Sequence, residues 1–225
     1  MVTWNLYHGR SVPASGRDLL PDFAAALSGW EWDLALLQEV PPWWPPELAR
    51  AAGAEHRMVL TSRNQLLPVR RVLATRWPNL MRSGGGGCNA ILVRRARIAE
   101  HRRLRLARLP EQRWLHAVRL DSGAWAGNLH STAHQPSRAE EESRRAAAAM
   151  LEWAAGAPAL LGGDFNLREL ELDGLRHMAG RDVDHVVATG LARVGDARVL
   201  ARGALSDHAP VAVVVGLGLG RPAAA

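Results

Sequence analysis

The sequence predicts an α/β domain in which two packed β-sheets carry helices on their outer sides. Short apolar runs alternate along the chain with helix-like segments and turns. Their order is mixed, with hairpin-like stretches in the middle, which fits two packed sheets better than a doubly wound parallel sheet. No internal repeat or long linker divides the 225 residues, a length that suits one domain with its own core. We assign residues 1–215 to that domain and residues 216–225, rich in small side chains, to a frayed tail.

Nine segments read as strands from their apolar content and alternation: Thr3–Leu6, Leu34–Gln38, Met58–Leu60, Asn89–Val93, Trp114–Leu120, Ala124–His130, Ala159–Gly163, Val183–Ala188 and Pro210–Val215. Asp18–Leu27 and Pro46–Ala52 read as helices. Ser137–Ala155 is the clearest helix, because Ser137 with Glu140 three residues later forms a capping-box pattern ahead of an alanine-rich run. Ser83–Gly87 reads as a glycine loop, suited to close approach of a partner or to a plain hairpin connection.

Composition bounds the function. Hydrophobic residues at 48% and charged residues at 22% are those of a globular chain. No run of about 18 apolar residues would span a membrane. A strand-like segment begins within the first three residues, which leaves no room for a signal peptide. The single cysteine, Cys88, excludes an internal disulfide and a multi-cysteine metal site, and reads as a small buried residue. A cytoplasmic, monomeric protein is the expectation. Basic residues outnumber acidic ones by 28 to 22, for a net charge of +6 and a pI of about 11.1. All of the basic residues are arginines, whose rigid fork suits phosphate. That favours a polyanionic partner, although a GC-rich genome yields the same Ala/Arg/Gly/Pro-rich composition.

Five segments place polar residues where a strand ends: Asn5, Glu39, His130, Asp164 with Asn166, and Asp207-His208. Each alone reads as a turn former or a solvated edge. Together they are an inventory for phosphoryl transfer to water. Asn5, Glu39 and Asp207 are hard oxygen ligands of the kind magnesium takes, with Mn2+ as the alternative. Two histidines can hydrogen-bond a phosphate or move a proton near neutral pH. Asp164 can orient or activate a water, and Asn166, two residues on, can hold a phosphate oxygen.

The segments Thr3-Trp4-Asn5-Leu6, Leu37-Gln38-Glu39-Val40, Gly127-Asn128-Leu129-His130, Gly162-Gly163-Asp164-Phe165-Asn166 and Leu205-Ser206-Asp207-His208-Ala209-Pro210-Val211 resemble, in order, those of the endonuclease/exonuclease/phosphatase superfamily. The last two carry most of the specificity. The resemblance implies a four-layer α/β sandwich with the site at one end of the two central sheets. It implies metal binding by Asn5 and Glu39 with Asp207 as a second metal-side carboxylate, water activation by Asp164 and phosphate binding by Asn166. It implies that His208 is a general base or phosphate ligand oriented by Asp184, and that His130 stabilises the transition state or protonates the leaving group. Asn89 matches an asparagine that begins a strand in the family and is expected at the site. The lone tyrosine, Tyr7, does not match the tyrosine of the abasic-site branch, and His130 in its Asn-x-His setting is more like the DNase I, sphingomyelinase and phosphatase branches.

Arg10, next to Tyr7 and His8, and Arg113, on the strand before His130, are further candidates for phosphate contact. His134, Arg138, Arg144 and Arg145 read as a surface compensated by Glu140–Glu142. Trp43-Trp44, flanked by prolines, suits core packing or a rigid turn, with base stacking or lipid contact as alternatives. The leading expectation is a magnesium-dependent phosphodiesterase acting on nucleic acid, most simply DNA, as an endonuclease. A phosphatase or phospholipase C-type hydrolase of inositol phosphates or phospholipid head groups is the alternative, and a non-enzymatic nucleic-acid binder is a third.

Overall fold

The strand β2 (Leu34–Val40) shows how the fold is built. Leu34 and Leu36 enter one buried cluster, while Ala35 and Leu37 enter another. Side chains alternate along a strand, so a strand apolar on both faces must be covered on both sides. β4 (Cys88–Val93) repeats the division, with Ile91 and Val93 on the first face and Ala90 and Leu92 on the second.

The computed structural model describes residues 1–61, 64, 66–77, 87–109 and 111–217. The remaining strands in it are β1 (Val2–Asn5), β3 (Glu55–Leu60), β5 (Ile98–Ala107), β6 (Arg113–Leu120), β7 (Trp125–His130), β8 (Ala159–Asp164), β9 (Arg176–Arg181), β10 (Asp184–Thr189), β11 (Leu191–Val199) and β12 (Val211–Leu217). The helices are α1 (Leu20–Gly29), α2 (Pro45–Ala52), α3 (Leu67–Arg76) and α4 (Pro136–Ala154). Two six-stranded mixed sheets result, in the orders β11-β12-β1-β2-β4-β3 and β5-β6-β7-β8-β10-β9. Three apolar clusters separate four layers. One lies between the sheets, one joins the first sheet to α1 and α2, and one joins the second sheet to α4. The predicted α/β sandwich is the observed one.

The two sheets share one plan. Each has a single parallel pair, β1 with β2 and β7 with β8, and antiparallel pairs elsewhere among the described strands. The chain between the parallel partners runs through α1 in one half and α4 in the other, as a crossover requires. The C-terminal ends of all four parallel strands therefore meet at one end of the sandwich.

Beneath that end the sheets are braced by a buried amide. Asn128 Nδ2 donates to the carbonyl oxygens of Leu37 and Ala90 in the opposite sheet, each at 2.9 Å, and Gln38 Nε2 donates to Asn128 Oδ1 at 2.8 Å. A register shift between Leu37 and Val40 opens the β2–β4 ladder at that point.

All nine expected strands are present with shifted ends. β5, β9 and β11 were not anticipated; all three are edge strands, as is β3, which was read three residues short. Helix α3, which buries none of its residues, was also unforeseen. Helix α1 starts two residues after the expected Asp18, whose carboxylate accepts the Leu20 amide at 3.0 Å. Ser137 is not the N-cap of α4. The helix starts at Pro136, whose fixed φ is already helical, and no side chain caps its N-terminus. β12 takes in Gly216 and Leu217 from the expected tail. The rest of that tail, and Ser83–Gly86 of the glycine loop, lie outside the described residues.

Asn128→Ala would take the side-chain donor from two buried carbonyls and one acceptor from the Gln38 amide, which keeps Thr3 Oγ1 and the Leu36 carbonyl. It should lower the unfolding free energy by about 3 kcal/mol, read as a lower urea midpoint at unchanged slope. A loss below about 1 kcal/mol would show that the brace is dispensable.

Candidate active site

The strand alternation that packs the inter-sheet core also aims the polar groups. Ala126, Leu160, Val186 and Ile91 face the inter-sheet core, and at even spacing from them so do His130, Asp164, Asp184 and Asn89. Asn5 shares its face with Thr3, opposite to Val2 and Trp4. Glu39 breaks this pattern, since by alternation it would follow Leu37 onto the outer face. It sits in the β2 bulge with φ +50°, as Asn166 (φ +52°) and Ser206 (φ +59°) also turn through the left-handed region at the strand ends. Such conformations are costly for non-glycine residues and concentrate at functional sites. Gly163, with φ +146°, lets β8 approach β7 so closely that a Cβ there would run into the Leu129 carbonyl oxygen.

These elements converge on Asp164. Asn5 Nδ2 donates to Asp164 Oδ2 at 2.9 Å, and the Asn166 amide donates to Oδ1 at 3.0 Å. His130 Nε2 lies 3.6 Å and His208 Nε2 3.8 Å from Asp164 Oδ2. His208 Nδ1 is 2.7 Å from Asp184 Oδ2. Ser206 Oγ donates to the Asn5 carbonyl at 2.7 Å and accepts the His208 amide at 3.0 Å, while the Trp4 indole donates to the His208 carbonyl at 3.1 Å. Glu39 lies at the rim, with Oε1 3.9 Å from His130 Nε2 and Oε2 3.2 Å from His8 Nε2.

The model of the Endonuclease/Exonuclease/phosphatase family matches residues 2–208. The chain belongs to that family. The family is one of phosphoric ester hydrolases, so the fold is a hydrolase fold. Among solved structures, an endonuclease/exonuclease/phosphatase from Beutenbergia cavernae DSM 12333 superposes with a TM-score of 0.74 at 19% identity, covering 96% of this chain and 71% of that one. A Bacteroides vulgatus member gives 0.70 at 14% identity, with 96% and 97% covered. TDP2 from Caenorhabditis elegans gives 0.66 at 16% identity, with 93% and 72% covered. At these identities the likeness is one of fold. No curated protein sequence matches the chain.

The electrostatics of this family member are dominated by buried acids. Burial pushes the Glu39 and Asp164 carboxyls above their usual range. It raises Asp184 to about 6, against the opposing hydrogen bond from His208. Burial alone would lower His208, but the Asp184 hydrogen bond and charge, with the charges of Asp164 and Asp207, outweigh it and raise the imidazole to about 9. His130 goes the other way, held well below its usual value by burial and then by the positive charges of Arg113, His208 and His8.

Family members are typically metal-dependent, and the donor set fits a hard divalent cation. Oxygen donors predominate, and burial holds the Glu39, Asp164 and Asp184 carboxyls above their usual range, a desolvation cost that a bound cation would relieve. Among the described residues, Asp164, Asp184 and His208 form a group of three ligand-type side chains whose atoms lie within 4.8 Å of one another. His208 and Asp184 are committed to each other, however, whereas Glu39 lies half-buried at the rim beside His8.

The other expected residues are placed as follows. Asp207 is exposed, with Oδ1 4.0 Å from His208 Nε2. Asn89 is buried and neither of its amide atoms has a hydrogen-bond partner. Arg113 is buried and its Nη2 donates to Glu111 at 2.6 Å. Arg10 stacks over the Tyr7 ring at 3.9 Å and donates to the Tyr7 carbonyl, so it braces its own loop. Trp44 packs in the core against Phe23, and Cys88 is buried with its thiol pushed up by burial. Glu142 departs from expectation: it does not compensate surface arginines but is buried, accepting the amide of Thr132 and its hydroxyl, each at 2.7 Å. It thereby anchors the turn after His130. Ser206 had no role assigned at the site, and His8 was expected only in a solvated loop at its mouth. Ser206 was legible only as part of its motif, and His8 only as a loop neighbour of Asn5.

The raised His208 value has a sign that can be checked. Its folded pKa lies above the unfolded value of about 6.5, so its stabilising contribution is complete below that pH and is lost as pH rises through about 9. In chelator-treated protein the His208 ring resonances should titrate near pH 9. In Asp184→Asn the midpoint should fall by more than a unit, and an unchanged midpoint would refute the pairing.

Proposed function

We propose that this chain is a metal-dependent phosphodiesterase acting on nucleic acid, most simply an endonuclease cutting DNA. The observation that carries the reading is the placement of Asp164 between two histidines, within 3.8 Å of both, with one of them held by Asp184. Family membership supports the chemistry, and the net charge of +6 supports a polyanionic substrate over a small phosphate.

Glu39 and Asn5 would hold the cation, with Asp207 in reach at the rim. A cation so bound supplies charge neutralisation at the phosphoryl group and the leaving oxygen. Asp164, fixed by the Asn5 and Asn166 hydrogen bonds, orients the attacking water and accepts its proton, a task its raised pKa favours. The water oxygen bonds to phosphorus as the bond to the leaving oxygen breaks. His208, protonated at neutral pH, donates from Nε2 to a non-bridging oxygen, so it serves as a phosphate ligand and not as the base. Neutral His130 contributes a second N–H donor on the Glu39 side of Asp164. Asn166 gives one amide hydrogen to the Ser131 carbonyl and keeps the other for the phosphate. Asn89 and Arg113 flank the cleft as substrate contacts, and Arg10 supports the loop beside them.

The protein should nick supercoiled plasmid with Mg2+ or Mn2+ and stop on chelation. Asp164→Asn and His208→Gln should each lower kcat by about a thousandfold or more at near-native melting temperature. Intact plasmid together with phosphate release from an inositol phosphate would replace the nucleic-acid reading. Retarded but uncut DNA in every metal would remove the catalytic one.

A further inference from the structure

We propose that His8 is an imidazole ligand of the cation that Glu39 binds, and that it shifts the site from Mg2+ towards Mn2+. The inference rests on the metal-dependent reading above and adds to it a nitrogen donor.

The loop after β1 is built to present this ring. Tyr7 and His8 both take left-handed backbone conformations, with φ +49° and +53°. The turn is tied by the Tyr7 amide to Asn5 Oδ1 at 2.9 Å, the Gly9 amide to the Leu6 carbonyl at 2.8 Å and the Arg10 amide to the Tyr7 carbonyl at 3.1 Å. Gly9 has φ +75° and lies directly against the Trp44 ring, where no Cβ would fit. Trp44 is itself locked into the core beside Phe23. The strained turn thus has core packing on one side and hydrogen bonds on the other. The side chain it aims is half-buried, with Nε2 3.2 Å from Glu39 Oε2.

Both partners reach this contact from costly φ values, His8 at +53° and Glu39 at +50°. Residues in such conformations concentrate at functional sites, and here two of them meet at one half-buried contact. The spacing suits a shared cation, because cis ligands at about 2.1–2.2 Å from an octahedral ion stand about 3 Å apart. Asn5 starts the same turn: its Oδ1 accepts the Tyr7 amide and its Nδ2 donates to Asp164, so the side chain bridges the loop and the buried acid. Mg2+ takes oxygen almost exclusively, whereas first-row transition ions accept imidazole readily. A Glu–Asn–His set therefore favours Mn2+ relative to an all-oxygen set.

The test uses full-length protein stripped with chelator, with Mn2+ and Mg2+ titrated calorimetrically and bound Mn2+ read by pulsed electron paramagnetic resonance. Wild-type protein should show 14N modulation from a directly bound imidazole. His8→Asn is the chosen variant because asparagine tolerates positive φ, so the turn is kept. It should lose the modulation and bind Mn2+ about tenfold more weakly, with Mg2+ affinity within about twofold of wild type. His130→Ala should keep the modulation. Modulation retained in His8→Asn, or unchanged Mn2+ affinity there, overturns the proposal. Binding that is lost in Glu39→Gln but indifferent to His8→Asn removes His8 alone. Absence of binding in wild type, or binding unaffected by Glu39→Gln, removes the metal reading of the site itself.

Discussion

The site depends on the amide brace formed by Asn128 and Gln38. Two apolar sheets packed face to face would normally close over their whole length, because every side chain on the inner faces gains by leaving water. Here Asn128, two residues before His130, reaches across to the carbonyls of Leu37, two residues before Glu39, and of Ala90, next to Asn89. Below the brace the inner faces carry Leu36, Ile91, Val118 and Val186. Above it the same faces carry Asn5, Asn89, His130, Asp164 and Asp184. The brace is the floor on which the polar cleft stands, and it holds the two halves at a fixed separation.

The shared plan of the two sheets explains how few elements make the site. Equivalent strand ends carry complementary groups: Asn5 on β1 answers His130 on β7, and Glu39 on β2 answers Asp164 on β8. Asn89 near the start of β4 answers Asp184 at the start of β10. One half supplies oxygen donors at the rim, the other a histidine and two buried acids. The packing that makes the plan possible is tightest at Gly163, where a side chain would collide with the neighbouring backbone. Ser206 then ties the last segment to the first strand, so that His208 reaches the cleft from a turn and not from a strand.

The sequence reading located the centre of each sheet and missed its margins. Central strands are apolar on both faces, and that pattern is visible without neighbours. β5, with Glu100, His101, Arg102, Arg103 and Arg105, is an edge strand whose charges deter pairing with other chains, and the same charges hide it from a hydrophobicity pattern. β9 and β11 are hidden likewise. At the site, His130 and Asp164 were legible as polar residues where apolar strands end, and Asp184 through the family resemblance; strand alternation then turns all three inward. Glu39 was legible as a polar strand end and through its motif but not from alternation, which points it outward until a bulge reverses it. His8 and Glu142 were misread for a common reason. Each looks like an ordinary polar residue of a loop or helix surface until a distant partner, Glu39 or Thr132, is brought to it by the fold.

The charge of the chain and the charge of the cleft have opposite signs. Arginines give the molecule its net +6, yet Glu39, Asp164, Asp184 and Asp207 gather around the imidazolium of His208. On the proposed reading these two facts divide the work. The outer field draws a polyanion towards the protein from beyond the reach of any single contact. Inside the cleft the acids would repel a phosphodiester, and burial makes Glu39, Asp164 and Asp184 resist their own ionisation. A divalent cation held by Glu39 would relieve both costs at once, by neutralising carboxylates that otherwise oppose the substrate. On that reading substrate entry and cation binding would be coupled by electrostatics.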